Sequence, residues 1–227
     1  MVEALQELRS SRPFGALRDE VAELVRGRHV HRARLPRALP PPRWGLGELA
    51  GRLVEISSRG AALTVATGLV LEAQHAGDPV AWISGDSFFF PPDLAESGID
   101  LAALAVIRPP LDLTGGLQAA DRLLRSGAFG LVLLDLTRVH PACHTLPLAA
   151  QTRLAGLAQR HDTVMLCLTA REPGEASLGS LVSLHAVASR LEHDGRFSCE
   201  VRVLKDKRRG PGWRHREEGY LGPPGLR

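Results

Sequence analysis

Apolar residues in segment 51–207 occur in two alternating patterns, short continuous runs and longer stretches with helical spacing. The runs are predicted to be buried strands at residues 52–56, 80–83, 104–107, 131–135 and 163–168. The stretches are predicted to be helices at residues 61–74, 115–127 and 146–160. Continuous apolar strands that alternate with helices predict an α/β fold, in which a mostly parallel sheet carries helices on both faces.

The pattern changes near the end of the chain. Residues 185–192 and 196–205 are predicted to be neighbouring strands joined at Asp194-Gly195, a dipeptide typical of tight turns. We therefore expect antiparallel strands to extend one end of the parallel sheet. Segment 208–227 is rich in glycine, proline and arginine, so we predict an irregular or disordered tail there.

Residues 1–43 are predicted to lie apart from the core, which we place at residues 44–207. A helix in this N-terminal segment carries one apolar stripe, formed by Phe14, Leu17, Val21 and Leu24. Because such a stripe must be buried, we expect it to pack on the chain's own core, on a second copy or on a partner. The basic segment that follows ends in three prolines, which predicts an extended linker.

Composition narrows the class of protein. Hydrophobic residues make up 44% of the chain, which is enough for a full core, and no apolar run reaches the length of a membrane span. The three cysteines are isolated, which favours a reducing cytosol, and the charged residues at the start argue against a signal peptide. We therefore expect a cytoplasmic protein that does not enter a membrane.

Basic residues are concentrated near the C-terminus, although the net charge is only +3. The densest group surrounds Trp213 and consists of Lys205, Lys207, Arg208, Arg209, Arg214 and Arg216. Basic residues with an aromatic residue among them can hold single-stranded nucleic acid through phosphate contacts and base stacking. The same residue types are common in protein interfaces, and a solvated basic tail is the third alternative.

A strand, a short loop and a helix at residues 51–74 have the arrangement of a phosphate-binding loop. That motif needs glycines whose N–H groups wrap the phosphates, a lysine that neutralises charge, and a hydroxyl that holds Mg²⁺. Here the loop keeps Gly60 and Thr64 but has no lysine, and Leu63 lies near the position of the metal-holding hydroxyl. We therefore expect no nucleotide cofactor and no catalysis.

Two acids and one cluster remain as candidates for chemistry. Asp135 ends a buried strand, where α/β folds bind ligands, and would hold a metal-bound water in an active site. Because the lysine is missing, we favour the alternative of a relic acid bonded to the loop. Asp86 is either a base for water or a turn residue. His140, Cys143 and His144 are metal-ligand types, but no fourth ligand is found, so we expect no metal.

The order of these features resembles the core of the RecA recombinases over about residues 45–211. Asp86 follows a strand similar to the one that delivers the family's catalytic glutamate. Asp135 ends a strand similar to the family's second phosphate motif. Lys205 and Lys207 lie in a segment similar to the late strand whose two lysines reach a neighbour's nucleotide.

Several features depart from the family pattern. Thr169 stands where the family has a glutamine that senses the nucleotide. The segments between Asp135 and Leu146 and between Arg171 and Ser180 are short where the family carries long DNA-binding loops. A shortened RecA-like core without a nucleotide site resembles the ImuA proteins.

That resemblance implies a non-catalytic adaptor that binds RecA and the polymerase-like ImuB subunit during damage-induced mutagenic DNA synthesis. Direct contact with DNA and self-association stay open. The alternatives are a cell-division inhibitor of the SulA type, which also lacks a phosphate loop, a single-stranded nucleic-acid-binding module, and a residual ATPase.

Overall fold

The apolar runs form the centre of one eight-stranded sheet in the computed structural model. Its strands are β1 Leu53–Ser57, β2 Val80–Ser84, β3 Leu104–Ile107, β4 Leu131–Asp135, β5 Val164–Thr169, β6 Leu184–His193, β7 Arg196–Asp206 and β8 Arg214–Tyr220. They lie in the order β3-β2-β4-β5-β1-β6-β7-β8. Neighbours from β3 to β6 pair in parallel, whereas β7 and β8 are antiparallel additions. The predicted α/β fold, with antiparallel strands at the C-terminal end, is confirmed.

The structure describes residues 41–58, 60–85, 91–110, 112–138, 145–172, 174–193 and 196–220. None of the helices in these ranges is long and apolar enough to cross a membrane. Several of the predicted residues lie outside these ranges, and their roles stay predictions; they are Phe14, Leu17, Val21, Leu24, Asp86, His140, Cys143 and His144.

Helices cover both faces of the sheet. Among the described residues, the α-helices are α1 Leu46–Leu49, α2 Ala61–Ala76, α3 Pro91–Glu96, α4 Leu113–Ser126 and α5 Leu148–His161. Helix α2 packs on one face with Val54 and Ile56 of β1, and α4 and α5 pack on the other face with Leu53. Because successive residues of a strand point to opposite faces, a strand buried on both sides is apolar at most of its positions. This burial explains the continuous apolar runs.

The C-terminal segment differs from the prediction. Arg214–Tyr220 forms β8, so the prediction of an irregular or disordered tail was wrong for these residues. Gly210 and Gly212 have φ angles of 81° and 100°, which allow the chain to turn back along β7. The strand is charged and has no apolar alternation. Ladder bonds to β7 hold it at the edge of the sheet.

Candidate functional site

The loop between β1 and α2 is closed by its own serine. Ser58 Oγ accepts hydrogen bonds from the N–H groups of Gly60 at 3.1 Å and Ala61 at 2.9 Å. In a phosphate loop, N–H groups at this end of the helix point at the anion. Leu63, in the first turn of α2, is 45% exposed and offers no polar group. The frame of a phosphate site is therefore present, while a hydroxyl of the chain engages two of its donors.

Two other remnant positions also bond within the fold. The Thr64 side chain hydrogen-bonds to Cys199 of β7, so it is directed at the sheet. The Asp135 carboxylate accepts the backbone N–H of Thr137 at 3.0 Å and its hydroxyl at 2.6 Å. In the described part of the chain, Gly60, Thr64 and Asp135 form no hydrogen bond with one another. The structure thus places these positions in three separate local contacts.

A buried polar cluster lies where the carboxyl ends of β1 and β5 meet the start of β6. Ser57 Oγ lies 2.8 Å from Thr169 Oγ1 and 3.0 Å from His185 Nε2. The Thr169 hydroxyl lies within hydrogen-bonding distance of Glu55, at 3.2 Å from Oε1. Thr169, for which the resemblance to RecA implies the place of a nucleotide-sensing glutamine, therefore bonds to the interior of its own protein.

Glu55 is the centre of this buried polar cluster, and sequence reasoning missed it. Its carboxylate accepts the backbone N–H of Leu178 at 2.7 Å and forms an ion pair with Arg171, whose Nε lies 3.2 Å away. Arg171 also donates to the carbonyl of Ala176. These bonds fasten the short segment between β5 and β6 to the middle of the sheet. The available sign was a lone acid with apolar neighbours on both sides in β1.

Burial and nearby charges set the ionisation of two residues beside Glu55. Burial lowers the pKa of His185, and although Glu55 opposes this shift, the charges of Arg171 and Lys205 add to it. The imidazole is therefore neutral at pH 7. Burial also lowers the pKa of Lys205, helped by the charge of Lys207. Lys205, which the sequence placed in a binding surface, has its Nζ 3.2 Å from the carbonyl oxygen of Ser180 in its own chain.

Trp213 belongs to a second internal network, centred on Asp206 at the end of β7. Asp206 accepts from Arg52 Nη2 at 2.6 Å, from Trp213 Nε1 at 3.0 Å and from the backbone N–H of Arg208 at 2.8 Å. The Arg52 and Asp206 side chains are 1% and 0% exposed. Trp213 also packs against the apolar core on the α2 side of the sheet. Its ring therefore contributes to the fold.

The predicted basic group divides into anchored and exposed members. Arg209 Nη2 lies 2.7 Å from a Glu48 carboxylate oxygen, and Arg208 Nη2 donates to the carbonyl of Ala50 at 3.2 Å. With Lys205, these residues tie the end of β7 and the turn after it to other parts of the fold. Lys207 is an exposed member of the group.

The exposed arginines of β7 and β8 share one face of the sheet. We name Arg202, Arg214 and Arg216 the arginine face. Arg202, which sequence reasoning did not single out, lies directly opposite Arg214 in the ladder. One Glu200 oxygen lies 3.6 Å from Arg214 Nη1, and Arg216 Nε donates to Ser198 Oγ at 3.3 Å. The structure thus brings two predicted residues together with one new residue.

A half-buried carboxylate on β8 provides a test of the local electrostatics. Burial raises the pKa of Glu217, and the neighbouring charge of Glu72 raises it further, while Arg43 opposes the shift. Glu217 Oε2 is buried without a hydrogen-bond partner. A raised pKa in the folded state means that the carboxyl group favours folding at low pH, and that this contribution is lost as pH rises through the folded pKa.

We therefore expect Glu217→Gln to raise the free energy of unfolding at pH 7 by about 0.5–1 kcal/mol. The gain should shrink as the pH is lowered below the pKa of the folded state. Urea unfolding at several pH values measures both effects. Glu192→Gln, at an exposed position on β6, is the matched control and should change stability little. A less stable Glu217→Gln at pH 7 would contradict the argument.

Comparison with known proteins places this geometry in a known fold. The structure superposes on the crystal structure of the RadB recombinase with a TM-score of 0.57 and 16% sequence identity, covering 75% of this chain and 88% of that chain. The mixed sheet, with helices on both faces and antiparallel strands at its C-terminal end, is therefore a RecA-like recombinase fold.

Bacterial RecA proteins share sequence with part of the chain. The RecA protein of Kineococcus radiotolerans is 38% identical over 96 residues, which are 40% of this chain and 27% of that protein. The RecA protein of Picosynechococcus sp. is 34% identical over 93 residues, 40% of this chain and 26% of that protein. The chain thus spans about a quarter of the length of these relatives. No protein-family model matches it.

Proposed function

We propose that this chain is a non-catalytic adaptor of the ImuA type, which binds RecA and the polymerase-like ImuB subunit during damage-induced mutagenic DNA synthesis. The observation that carries the proposal is the Ser58 cap. The strand, loop and helix of a phosphate site are kept, while the loop has no lysine and Ser58 bonds two donors at the start of the helix. Similarity to RecA proteins and to a recombinase structure supports a role beside the recombination machinery.

The chemistry of phosphoryl transfer supports an adaptor over an ATPase. Catalysis in such enzymes depends almost entirely on positioning the phosphates and neutralising their charge. The described loop supplies one glycine and no lysine, and the Thr64 side chain bonds to Cys199. Asp135, the acid of the second phosphate motif, is bonded to Thr137. A surface that binds proteins needs none of the missing groups.

Co-purification tests the adaptor function directly. The tagged full chain is mixed with purified RecA and, separately, with purified ImuB, and retention is measured at physiological salt. We expect at least one partner to be retained in near-stoichiometric amount. An unrelated tagged protein of similar pI is the control for charge-driven binding. Failure to retain either protein would refute the proposed function.

Calorimetry with ATP and Mg²⁺ tests the non-catalytic part separately. We expect no binding heat and no phosphate release above the buffer rate, because the charge-neutralising lysine is missing. Phosphate release that Asp135→Asn abolishes would show that the site turns over ATP, whatever the outcome of the co-purification.

The arginine face favours nucleic-acid binding as a second candidate function. Arg202 and Arg214 face each other directly across the ladder, and like charges in such pairs destabilise a sheet. The Glu200 carboxylate, 3.6 Å from Arg214, offsets one of the three charges of the arginine face. Phosphates of a nucleic acid would complement the remaining positive charge. Polarisation of a labelled single-stranded oligonucleotide, measured against salt, tests the idea.

The double variant Arg202→Gln plus Arg214→Gln should weaken this binding and reduce the salt slope by roughly two phosphate contacts. Arg160→Gln, an exposed arginine on α5, is the control and should leave the slope unchanged. No polarisation change at low salt would exclude the second candidate.

A further inference from the structure

A surface groove runs between α4 and α5. Its volume is about 470 Å³, within the range of sites that hold a drug-sized ligand. The α4–α5 groove is lined on α4 by Leu117, Asp121 and Arg122, and on α5 by Ala150, Arg153 and Leu154. The phosphate-loop remnant, the buried polar cluster and the arginine face use none of these residues.

Bonds across and beside the α4–α5 groove hold its two walls in place. Arg153 Nη2 on α5 lies 3.2 Å from an Asp121 oxygen on α4. The Gln151 amide donates to the carbonyl of Leu146 at 2.6 Å and accepts the N–H of Leu181 at 2.9 Å, which fixes the start of α5. When a groove is preformed, little free energy is lost in ordering the protein on binding. More of the contact energy between ligand and groove then appears as affinity.

The floor of the α4–α5 groove is apolar. Leu117 and Leu154 line it, together with the side chains of Pro147 and Ala150. The floor therefore suits an apolar anchor such as leucine or phenylalanine.

The rim of the α4–α5 groove carries an excess of positive charge. Arg122 and Arg153 line it, and Arg125 lies one turn along α4 from Asp121. Asp121, the acid of the groove, lies between Arg153 and Arg125 and accepts hydrogen bonds from both. Because the lining sets one carboxylate, Asp121, against two arginines, the rim keeps a net positive charge and complements a ligand that brings a carboxylate.

We propose that the α4–α5 groove is the docking site for a short partner segment that pairs an apolar anchor with acidic residues. This inference rests on the proposed adaptor function and names the surface that the adaptor uses. The anchor lies on Leu117 and Leu154, and an acidic neighbour contacts Arg122. A nucleic acid fits less well, because the described lining has an apolar floor and no aromatic ring for base stacking.

Binding of synthetic peptides tests the proposal. Overlapping 15-residue peptides, on the order of the length that spans a helix pair, are tiled over the two proposed partner proteins and screened against the full chain. Fluorescence polarisation then gives the Kd of each peptide that binds. We expect the binding peptides to share a leucine or phenylalanine within a few residues of an aspartate or glutamate.

Two pairs of matched variants locate the binding site. Ala150→Phe fills the α4–α5 groove, whereas Ala149→Phe adds the same ring at an exposed neighbour that does not line it. Arg122→Glu reverses the charge of the rim, and Arg160→Glu reverses an exposed charge elsewhere, on the last turn of α5. We expect Ala150→Phe and Arg122→Glu to weaken peptide binding at least tenfold, and the two controls to change it less than twofold.

The outcomes separate this inference from the adaptor function. If a full-length partner is retained but no peptide binds, or Ala150→Phe binds peptides as well as the parent, the adaptor stands and the α4–α5 groove is not its docking site. If neither partner nor peptide binds, both proposals fail. A concentration-dependent dimer that Ala150→Phe abolishes would assign the groove to a second copy of the chain and overturn the inference.

Discussion

Replacing Asp206 with alanine should lower the free energy of unfolding by about 3–5 kcal/mol, because removing one member of a buried ion pair leaves the other charge uncompensated. Arg52 and Asp206 are both almost fully buried and lie 2.6 Å apart. The substitution also takes the acceptor from Trp213 Nε1 and from the backbone N–H of Arg208. Urea unfolding followed by tryptophan fluorescence measures the loss. The turn after β7 should lose its order first.

The pH dependence of Asp206→Ala gives an independent check. Burial alone would raise the pKa of Asp206, but hydrogen bonds from Arg52, Arg208 and Trp213 hold it below its ordinary value. A carboxylate with a lowered pKa stabilises the fold above its unfolded pKa of about 4 and loses that contribution as pH falls through the folded pKa. The parent should therefore lose stability in this acid range, whereas Asp206→Ala should lack this component of the loss.

A surface ion pair on the same sheet is the control for Asp206. Glu200 lies 3.6 Å from Arg214, whose side chain is 60% exposed, so Glu200→Ala should cost less than about 1 kcal/mol. A double variant, Arg52→Met with Asp206→Leu, removes both buried charges and should recover much of the stability. If Asp206→Ala is as stable as Glu200→Ala, the network around Arg52 and Asp206 is not a major source of stability.

The central strands of the sheet could be predicted from the sequence, because a strand that is buried on both faces appears as a continuous run of apolar residues. The predicted strands at residues 104–107 and 131–135 match β3 and β4, and the predictions for β1, β2 and β5 differ from the structure by one residue at one or both ends. Strand β8 could not be found in this way, because it lies at the edge of the sheet and is charged. Its pairing depends on β7 and on a turn at Gly210 and Gly212.

The candidate site was only partly predictable, since a residue type does not say what the side chain contacts. Trp213 and Arg209 have the chemistry of a binding surface, yet Trp213 bonds to Asp206 and Arg209 to Glu48. The absence of a phosphate-binding lysine is visible in the sequence, but the Ser58 cap is a matter of geometry. Arg202 acquires significance only through its ladder partner on β8.

The described residues of the segment between β5 and β6 are held by bonds to a buried carboxylate and its ion-pair partner. Glu55 reaches it through the Leu178 N–H, and Arg171, just after β5, closes the same ion pair. A side chain at Gly179 would overlap the Gln151 amide, so this part of the chain also packs tightly against α5. The resemblance to RecA places a long DNA-binding loop here. In this protein, internal bonds of a buried carboxylate occupy the corresponding stretch.

Glu55→Ala should therefore destabilise the protein by about 3–5 kcal/mol, because it removes the carboxylate opposite Arg171 and the acceptor of two further donors. Glu55→Gln keeps a carbonyl acceptor and should cost less. Glu175→Ala, at an exposed position of the same segment, is the control and should stay within about 0.5 kcal/mol of the parent.

Limited proteolysis distinguishes local release of this segment from general unfolding. In Glu55→Ala under native conditions, we expect new cleavage near Glu175 before any cleavage in the strands of the core, since the anchors at Arg171 and Leu178 are lost together. Glu55→Leu with Arg171→Met removes both buried charges and should restore resistance in part. Cleavage spread evenly over the chain would mean that Glu55 supports the sheet as a whole and does not specifically fasten the segment.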